Sequence, residues 1–554
     1  MSYIADATNS CSDSPEKNLN NNNDEKSGVT VLKISKRESL LNTIPIAADN
    51  SQEATFKDLN GDSVGSLLMP IKSNSSSGSD LELMKDMYPT GFVELPYDSP
   101  QRTENWTTRK RLRYTIIYLF TTFSAQLGAS MLSATTGQIS EQFHVGEEVA
   151  VLSFSIYVVG NTLGPVVFAP VSEIFGRKLS AFIPCFICGA IICIAANVDN
   201  IAALVVLRFV AGMFGSAPVV CSGGAIADIW KPPLRAAAMI IYAFFIIMGA
   251  VTSPVFGALL NTTGDYGWRW ALWVPGLLCI TLAVINIPTL SETYLPLIEQ
   301  KYTQRLKLQT GLWNLHSEMD SWMFTFKEFV MVHLARPISI LKVPVIFLFV
   351  LYTSFVYGLV FLILTTVSKE FQKWHNFTHV TGYIPLFALL FGFLIGSGIN
   401  VWQSKRFDRL ALKLGRSPDS EETLIPMMYF GWCVPCGMFL YGWTMKSWIH
   451  WIVPCIGLVF LGIGMAVVFQ GCLIYMVDVY PKYAASAIAA NTMVRSSFGG
   501  IFPLFANQMF DKLGIHWAAS VIAFVGLALY PVSWLFYFYG AKLRKNNQNQ
   551  SKLM

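Results

Sequence analysis

From about residue 114 the chain is a succession of apolar blocks, each roughly 20 residues long and parted by short polar connections. Twenty residues at 1.5 Å rise span a hydrocarbon core of about 30 Å, so each block predicts a membrane-crossing helix. The first six fall at about 114–135, 149–171, 179–197, 202–226, 236–259 and 269–290. After a polar gap from about Ser291 to Lys342 they resume at about 343–366, 380–402, 424–445, 449–476, 485–507 and 515–539. The predicted fold class is an all-α membrane protein of about 12 transmembrane helices, in two six-helix pseudo-symmetric halves.

The polar stretches set the remaining boundaries. Residues 1–100, with the tract Asn18 to Asn23 and the run SNSSSGSD, cannot bury enough apolar surface to offset chain entropy and predict a disordered tail. The halves are placed at 101–290 and 343–540, a central loop at 291–342 and a short polar tail at 541–554. Within the loop, HSEMDSWMFTFKEFVMVHL has the pattern of an interfacial amphipathic helix linking the halves. The opening MSYIADATNSCSDSPEK lacks a basic region followed by an apolar stretch, so no cleavable signal peptide is expected and the first apolar helix serves as insertion signal.

Composition agrees with this picture and narrows it. Of 554 residues, 53% are hydrophobic and 14% charged, where soluble proteins carry roughly a quarter charged. The net charge of +5 is spread without a long basic run, which gives no sign of a nucleic-acid partner. Cys185/Cys188 and Cys433/Cys436 have CxxC spacing but lie inside apolar blocks, which favours small core residues over a zinc site or disulfide. Of the seven histidines, His144, His375, His379, His450 and His516 fall near outer connections and His316 and His333 in the central loop. They do not gather at one depth, so neither a metal nor a cofactor is expected, and no embedded metalloenzyme.

Lys and Arg fix the expected orientation, because basic flanks stay on the cytoplasmic side. Arg109, Lys110, Arg111 and Arg113, then Arg177 and Lys178, then Lys405, Arg406, Arg409, Lys413 and Arg416 share one side. The other side holds only Lys369, Lys373, Lys446 and Lys512, with Arg269 at a border, so both termini are expected in the cytoplasm. Sequons at Asn261 and Asn376 then lie outside as glycosylation candidates, while the sequon at Asn105 lies inside.

Charges at depth are costly, by about 2.5 to 3.5 kcal/mol, and mark functional candidates. Arg208 lies in the fourth block and Arg495 near the middle of the eleventh. Each is expected to face the bundle interior and to contact backbone carbonyls, an anion or water. Glu173, Asp228 and Asp478 sit at the expected cytoplasmic ends. Asp228 is about 30 Å along its helix from Arg208, too far to pair with it.

Three phrases carry a family likeness. The second block ends in PVSEIFGRKLS, a tight connection with Glu173, Gly176, Arg177 and Lys178. The fourth carries LRFVAGMFGSAP around Arg208, and the fifth GAVTSPVFGALL with Gly249, Pro254 and Gly257. In order and placement they resemble the signature motifs of the major facilitator superfamily, and specifically its twelve-span fungal drug:proton antiporters. ENWTTRKR, LSETYLPLI, SFVYGLVF and VDVYPKYAASAIAANTMVRSSFGGIFPLF look like the same group, over roughly residues 103 to 540. Departures are Ala169 for a frequent Gly, Glu173 for the usual Asp, and Ser291 for a common Pro.

The resemblance implies the major facilitator fold and alternating access around a central cavity. It also implies a latch of Glu173, Gly176, Arg177 and Lys178 with Asp228, a proton path through Arg208 and Asp228, and an antiport motif at Gly249, Pro254 and Gly257. Polar or amphipathic residues in the relevant blocks, Gln126, Ser216, Tyr352, Tyr357, Gln470 and Arg495, are the candidate cavity lining. Such a lining favours drugs, polyamine-like or other amphipathic cations over sugars. The expected protein is a monomeric, proton-coupled exporter in the plasma or vacuolar membrane, with a small-molecule substrate, protons and the lipid bilayer as partners. A nutrient transporter, for example of an amino sugar, and a non-transporting sensor with the carrier fold are the alternatives.

Overall fold

A computed structural model describes residues 91–262, 264, 267–321, 336–342, 344–415, 419–479 and 484–539, all within one unit of the chain. Ten membrane-length helices come first: α1 (Thr108–Ala134), α2 (Glu147–Ile174), α3 (Arg177–Ala195), α4 (Ile201–Ile229), α5 (Leu234–Asn261), α6 (Gly267–Thr289), α7 (Ile346–His375), α8 (Thr381–Leu414), α9 (Ser420–Thr444) and α10 (Ile452–Met476). The last apolar stretch, Ala487–Tyr539, is 53 residues long. That is about 80 Å of helix, more than twice a hydrocarbon core.

Gly514 resolves the excess. Its φ of 73° and ψ of 158° break the helix into α11 (residues 487–513) and α12 (residues 515–539). Phe355 of α7 touches both sides of the break: its ring is 6.1 Å from Phe502, and a Cβ at Gly526 would lie 3.6 Å from it. Positions twelve residues before and after Gly514 thus meet one side chain, so the chain doubles back. Two sets of six helices result.

The halves repeat one packing device. In the first, α2 crosses α4 where Gly160 faces the Phe209 carbonyl and Gly212 faces that of Tyr157. In the second, α8 crosses α10 where Gly392 faces the Val459 carbonyl and Gly462 that of Leu389. A methyl group at any of these positions would run into the facing backbone, and hydrogen side chains let the helix axes approach closely.

Several helices outrun their apolar blocks. α1 begins at Thr108 rather than near 114, so the basic run TTRKRLRY forms its first turns. Within α8 the regular α-helix runs Leu386–Leu414, a dozen residues past the predicted end, and carries the exposed Lys405, Arg406, Arg409 and Lys413. Hydrophobicity marks where lipid stops, whereas backbone hydrogen bonding continues into water.

Residues 91–100, assigned from sequence to the disordered tail, are packed. Val93 and Leu95 are 1% exposed. Val93 N–H donates to the His316 carbonyl at 3.0 Å, and His316 N–H to the Gly91 carbonyl at 2.7 Å. Leu95 N–H donates to Glu299 Oε1 at 3.2 Å, while Arg102 donates to the Leu95 carbonyl at 2.6 Å. The short apolar run there was outweighed in sequence by its polar context; the central segment supplies both the backbone partners and the apolar cover. That segment contains a helix, Leu295–Thr310, ended by Gly311 at φ 69°. Most of the predicted amphipathic helix, residues 322–334, lies outside the described residues.

Candidate functional site

The α2–α3 connection is the tightest charged cluster of the first half. Gly176 adopts φ +88°, which lets α3 start on the next residue, and it lies against the Glu292 carboxylate with no room for a side chain. Arg177 Nε donates to Asp228 Oδ2 at 3.1 Å, and its Nη1 to Ser172 Oγ at 2.6 Å. Its guanidinium lies 4.8 Å from the Tyr294 ring centre. The Lys178 side chain is buried beside it.

Glu292, which the sequence reading did not single out, completes the cluster. Its Oε1 accepts Arg177 N–H at 2.8 Å and its Oε2 accepts Lys178 N–H at 3.2 Å. Oε1 also accepts the N–H groups of Thr293 and Tyr294, at 2.9 and 3.0 Å. A carboxylate from the end of α6 thus occupies the N-terminus of α3, where unpaired N–H groups and the helix dipole favour negative charge. Burial pushes the Tyr294 phenol up to about 12. Glu173, placed in the latch from sequence, is half-buried and makes no ion pair among the described residues. Asp228 and Glu292 are the carboxylates that hold Arg177 and the start of α3.

Arg208 is wholly buried and makes three hydrogen bonds. Its Nε donates to the Ser153 carbonyl at 3.2 Å, Nη1 to that of Gly128 at 2.8 Å and Nη2 to that of Ala129 at 3.1 Å. The guanidinium lies 4.5 Å from the Tyr157 ring centre. Three helices, α1, α2 and α4, are therefore tied by one side chain. Gly128 and Ala129 can accept because the end of α1 tightens at Met131–Ala134 into a 3-10 turn and leaves carbonyls unpaired.

Arg495 in α11 is different. It is 6% exposed, its Nε is enclosed without a partner, and it makes no hydrogen bond or ion pair among the described residues. Its guanidinium lies 4.7 Å from the Tyr357 ring centre and 5.0 Å from that of Phe469, two rings whose centres are 6.4 Å apart. One turn on, Gly499 and Gly500 face Val158 and Val159 of α2, so this part of α11 lies against the first half.

The remaining candidate lining residues divide into fasteners and fillers. Gln470 Oε1 accepts from Asn400 at 2.8 Å, and its Nε2 donates to Ser397 Oγ at 3.0 Å and across the halves to the Ile240 carbonyl at 3.4 Å. Ser216 donates to the Met213 carbonyl at 2.8 Å and packs on Gly164 inside the first half. Tyr352 is enclosed within the second half near Cys472 and Cys433, away from the first. Gln126 is buried against Gly249. Gly249 and Gly257 both press α5 onto α1, at Gln126 and at the Met131 carbonyl, with Pro254 between them.

At the end of the bundle opposite the α2–α3 turn, polar groups join the halves directly. Lys369 of α7 pairs with Glu147 of α2, and Asn507 of α11 donates to the same carboxylate at 3.2 Å. Gln508 donates to Glu148. Asn376 lies on this side, exposed with φ 55°, while the Asn261 side-chain oxygen is enclosed.

Two six-helix sets, a charged turn after α2 and buried cations on α4 and α11 define a multi-pass membrane transport protein. The chain belongs to the Major Facilitator Superfamily, whose family model matches residues 118–503. Among its relatives, the multidrug transporter FLU1 of Candida albicans is 34% identical over 456 residues, 81% of this chain and 74% of that one. The efflux pump bik6 of Gibberella fujikuroi is 34% identical over 446 residues, 80% of this chain and 92% of its own. Solved structures share the fold at low identity. The human organic anion transporter MFSD10 has a TM-score of 0.55 at 14% identity, covering 77% of this chain and 100% of its own. The proton:xylose symporter XylE has a TM-score of 0.55 at 14% identity, covering 78% and 97%.

Proposed function

We propose that the protein exports small organic compounds by alternating access between its two six-helix halves, in exchange for protons. The observation that carries this reading is the 34% identity, over about four fifths of the chain, to proteins named multidrug transporter and efflux pump. The bonding pattern supports it. Arg177, Asp228 and Glu292 hold each other within the first half, while Glu147, Glu148, Lys369, Asn507 and Gln508 join the halves at the opposite end. One half can then rock on the other by parting a few polar contacts at one end.

In this reading Arg208 is the pin that keeps α1, α2 and α4 together as the half moves, and the proton is carried by carboxylates at the α2–α3 end, Glu173 and Asp228. The basic flanks put that end and both termini in the cytoplasm of a cell whose plasma membrane carries the protein. Asn376 is then the glycan acceptor and Asn261 a poorer one. Efflux from proteoliposomes under an imposed pH gradient tests the reading. Drug movement that follows the gradient is expected; movement indifferent to it rejects proton exchange, and no movement rejects export.

A further inference from the structure

Arg495 carries positive charge into the contact region of the halves, its Nε enclosed and no hydrogen bond made to any of the described residues. Among the described residues no carboxylate pairs with it. A guanidinium has two faces and an edge of five N–H donors. Here Tyr357 and Phe469 lie against it at 4.7 and 5.0 Å, with their ring centres only 6.4 Å apart, so they flank it roughly at right angles, and its N–H donors meet no acceptor among the described residues. A buried donor set without acceptors is the arrangement a ligand carboxylate completes, through two parallel charge-assisted bonds.

The surroundings specify the rest of the ligand. Phe469, Phe361 and Tyr357 form one aromatic group, with Tyr357 5.1 Å from Phe361 and stacked 6.4 Å from Phe469. Phe361 in turn lies 6.1 Å from Phe154 of the first half. An organic cation would meet like charge at Arg495. A flat aromatic body with an acidic group would meet both the rings and the unused donors. We propose that Arg495 is the receptor for the acidic group of the substrate, and that this transporter takes planar aromatic carboxylates. The proposal rests on the export reading for its direction, though not for the binding itself.

Purified full-length protein is titrated with three compounds on one ring system: 2-naphthoate, 2-naphthamide and 2-naphthylmethylammonium. The acid is expected to bind about tenfold or more tightly than the amide, and the amine most weakly. Arg495→Gln is expected to bind acid and amide alike, and Arg495→Lys to keep part of the preference. Wild-type protein that binds the amide or the amine as well as the acid overturns the proposal, whether or not the variants fold. So does a preference for the acid that survives in Arg495→Gln. The same compounds in proteoliposomes separate the two readings. Acid binding without export refutes the export reading alone, while export that ignores the charge of the compound refutes the assignment of Arg495 alone.

Discussion

Arg208 and Arg495 are both cations buried on membrane-length helices, one in each half, yet they are used in opposite ways. Arg208 gives hydrogen bonds to three carbonyls from two neighbouring helices. Charge-assisted bonds contribute about 1.5 to 3 kcal/mol each, so together they exceed the insertion cost of about 2.5 to 3.5 kcal/mol. Arg495 has two aromatic faces, at about 2 kcal/mol each when desolvated, which roughly match that cost and leave its donors unused. A cation tied to three carbonyls serves the scaffold, whereas one flanked by rings and bonded to none of the described residues is the one we propose for a ligand.

The charged turns of the halves differ too. Arg177 and Asp228 are 3.1 Å apart with side chains 15% and 28% exposed. The corresponding turn of the second half offers Arg406 and Glu422 at 3.9 Å, 45% and 28% exposed. Among the described residues, the close ion pair of the first half has only a longer and more exposed counterpart in the second.

The largest effect is expected from Arg208→Ala. Removing it leaves three carbonyls unpaired inside the bundle, at about 3 to 5 kcal/mol. Thermal unfolding in detergent should show that loss, and Arg495→Gln, which breaks no hydrogen bond, should stay within about 1 kcal/mol of the parent. Equal losses for the two would erase the distinction. Next comes Gly176→Ala, which adds a methyl at positive φ against Glu292; a loss of about 2 kcal/mol is expected in the same assay. A stable variant would mean that the turn relaxes.

Glu292→Gln keeps the shape but removes the charge at the start of α3. It is expected to lower stability by about 1 to 2 kcal/mol and to expose Arg177 to arginine-directed reagents. Unchanged reactivity would assign the turn to Asp228 alone. The smallest change is expected from Lys369→Ala, because both partners are about half exposed and such pairs contribute about 1 kcal/mol or less. Its readout is conformational: thiol labelling of Ser497→Cys from the Glu147 end should rise. No rise would place the closure in the packing of α2 on α11 rather than in its polar rim.

The apolar blocks announced every membrane-length helix, including the pair that the backbone joins around Gly514, since a spanning segment must be long, apolar and internally hydrogen-bonded. The phrases around Glu173, Arg208 and Pro254 were enough to place the chain in its superfamily. The same reading could not choose among the roles of its polar residues. It grouped Ser216, Tyr352 and Arg495 as one lining, whereas Ser216 packs on Gly164, the Tyr352 hydroxyl is enclosed without a partner and Arg495 is flanked by two rings. It placed Glu173 in the latch and passed over Glu292, which accepts the first N–H groups of α3. LSETYLPLI contained that carboxylate in plain view, but nothing local connects it to the start of α3, 115 residues earlier.

Helix number and the division into six and six were thus decided by the chain itself, because each depends on solvation of a contiguous stretch. Which buried arginine is tied and which is open was decided only by the fold. The carbonyls that saturate Arg208 lie 55 to 80 residues away along the chain, and the rings that flank Arg495 come from α7 and α10. A charge is neutralised, or left for a ligand, by whatever tertiary packing brings within about 3 Å of it.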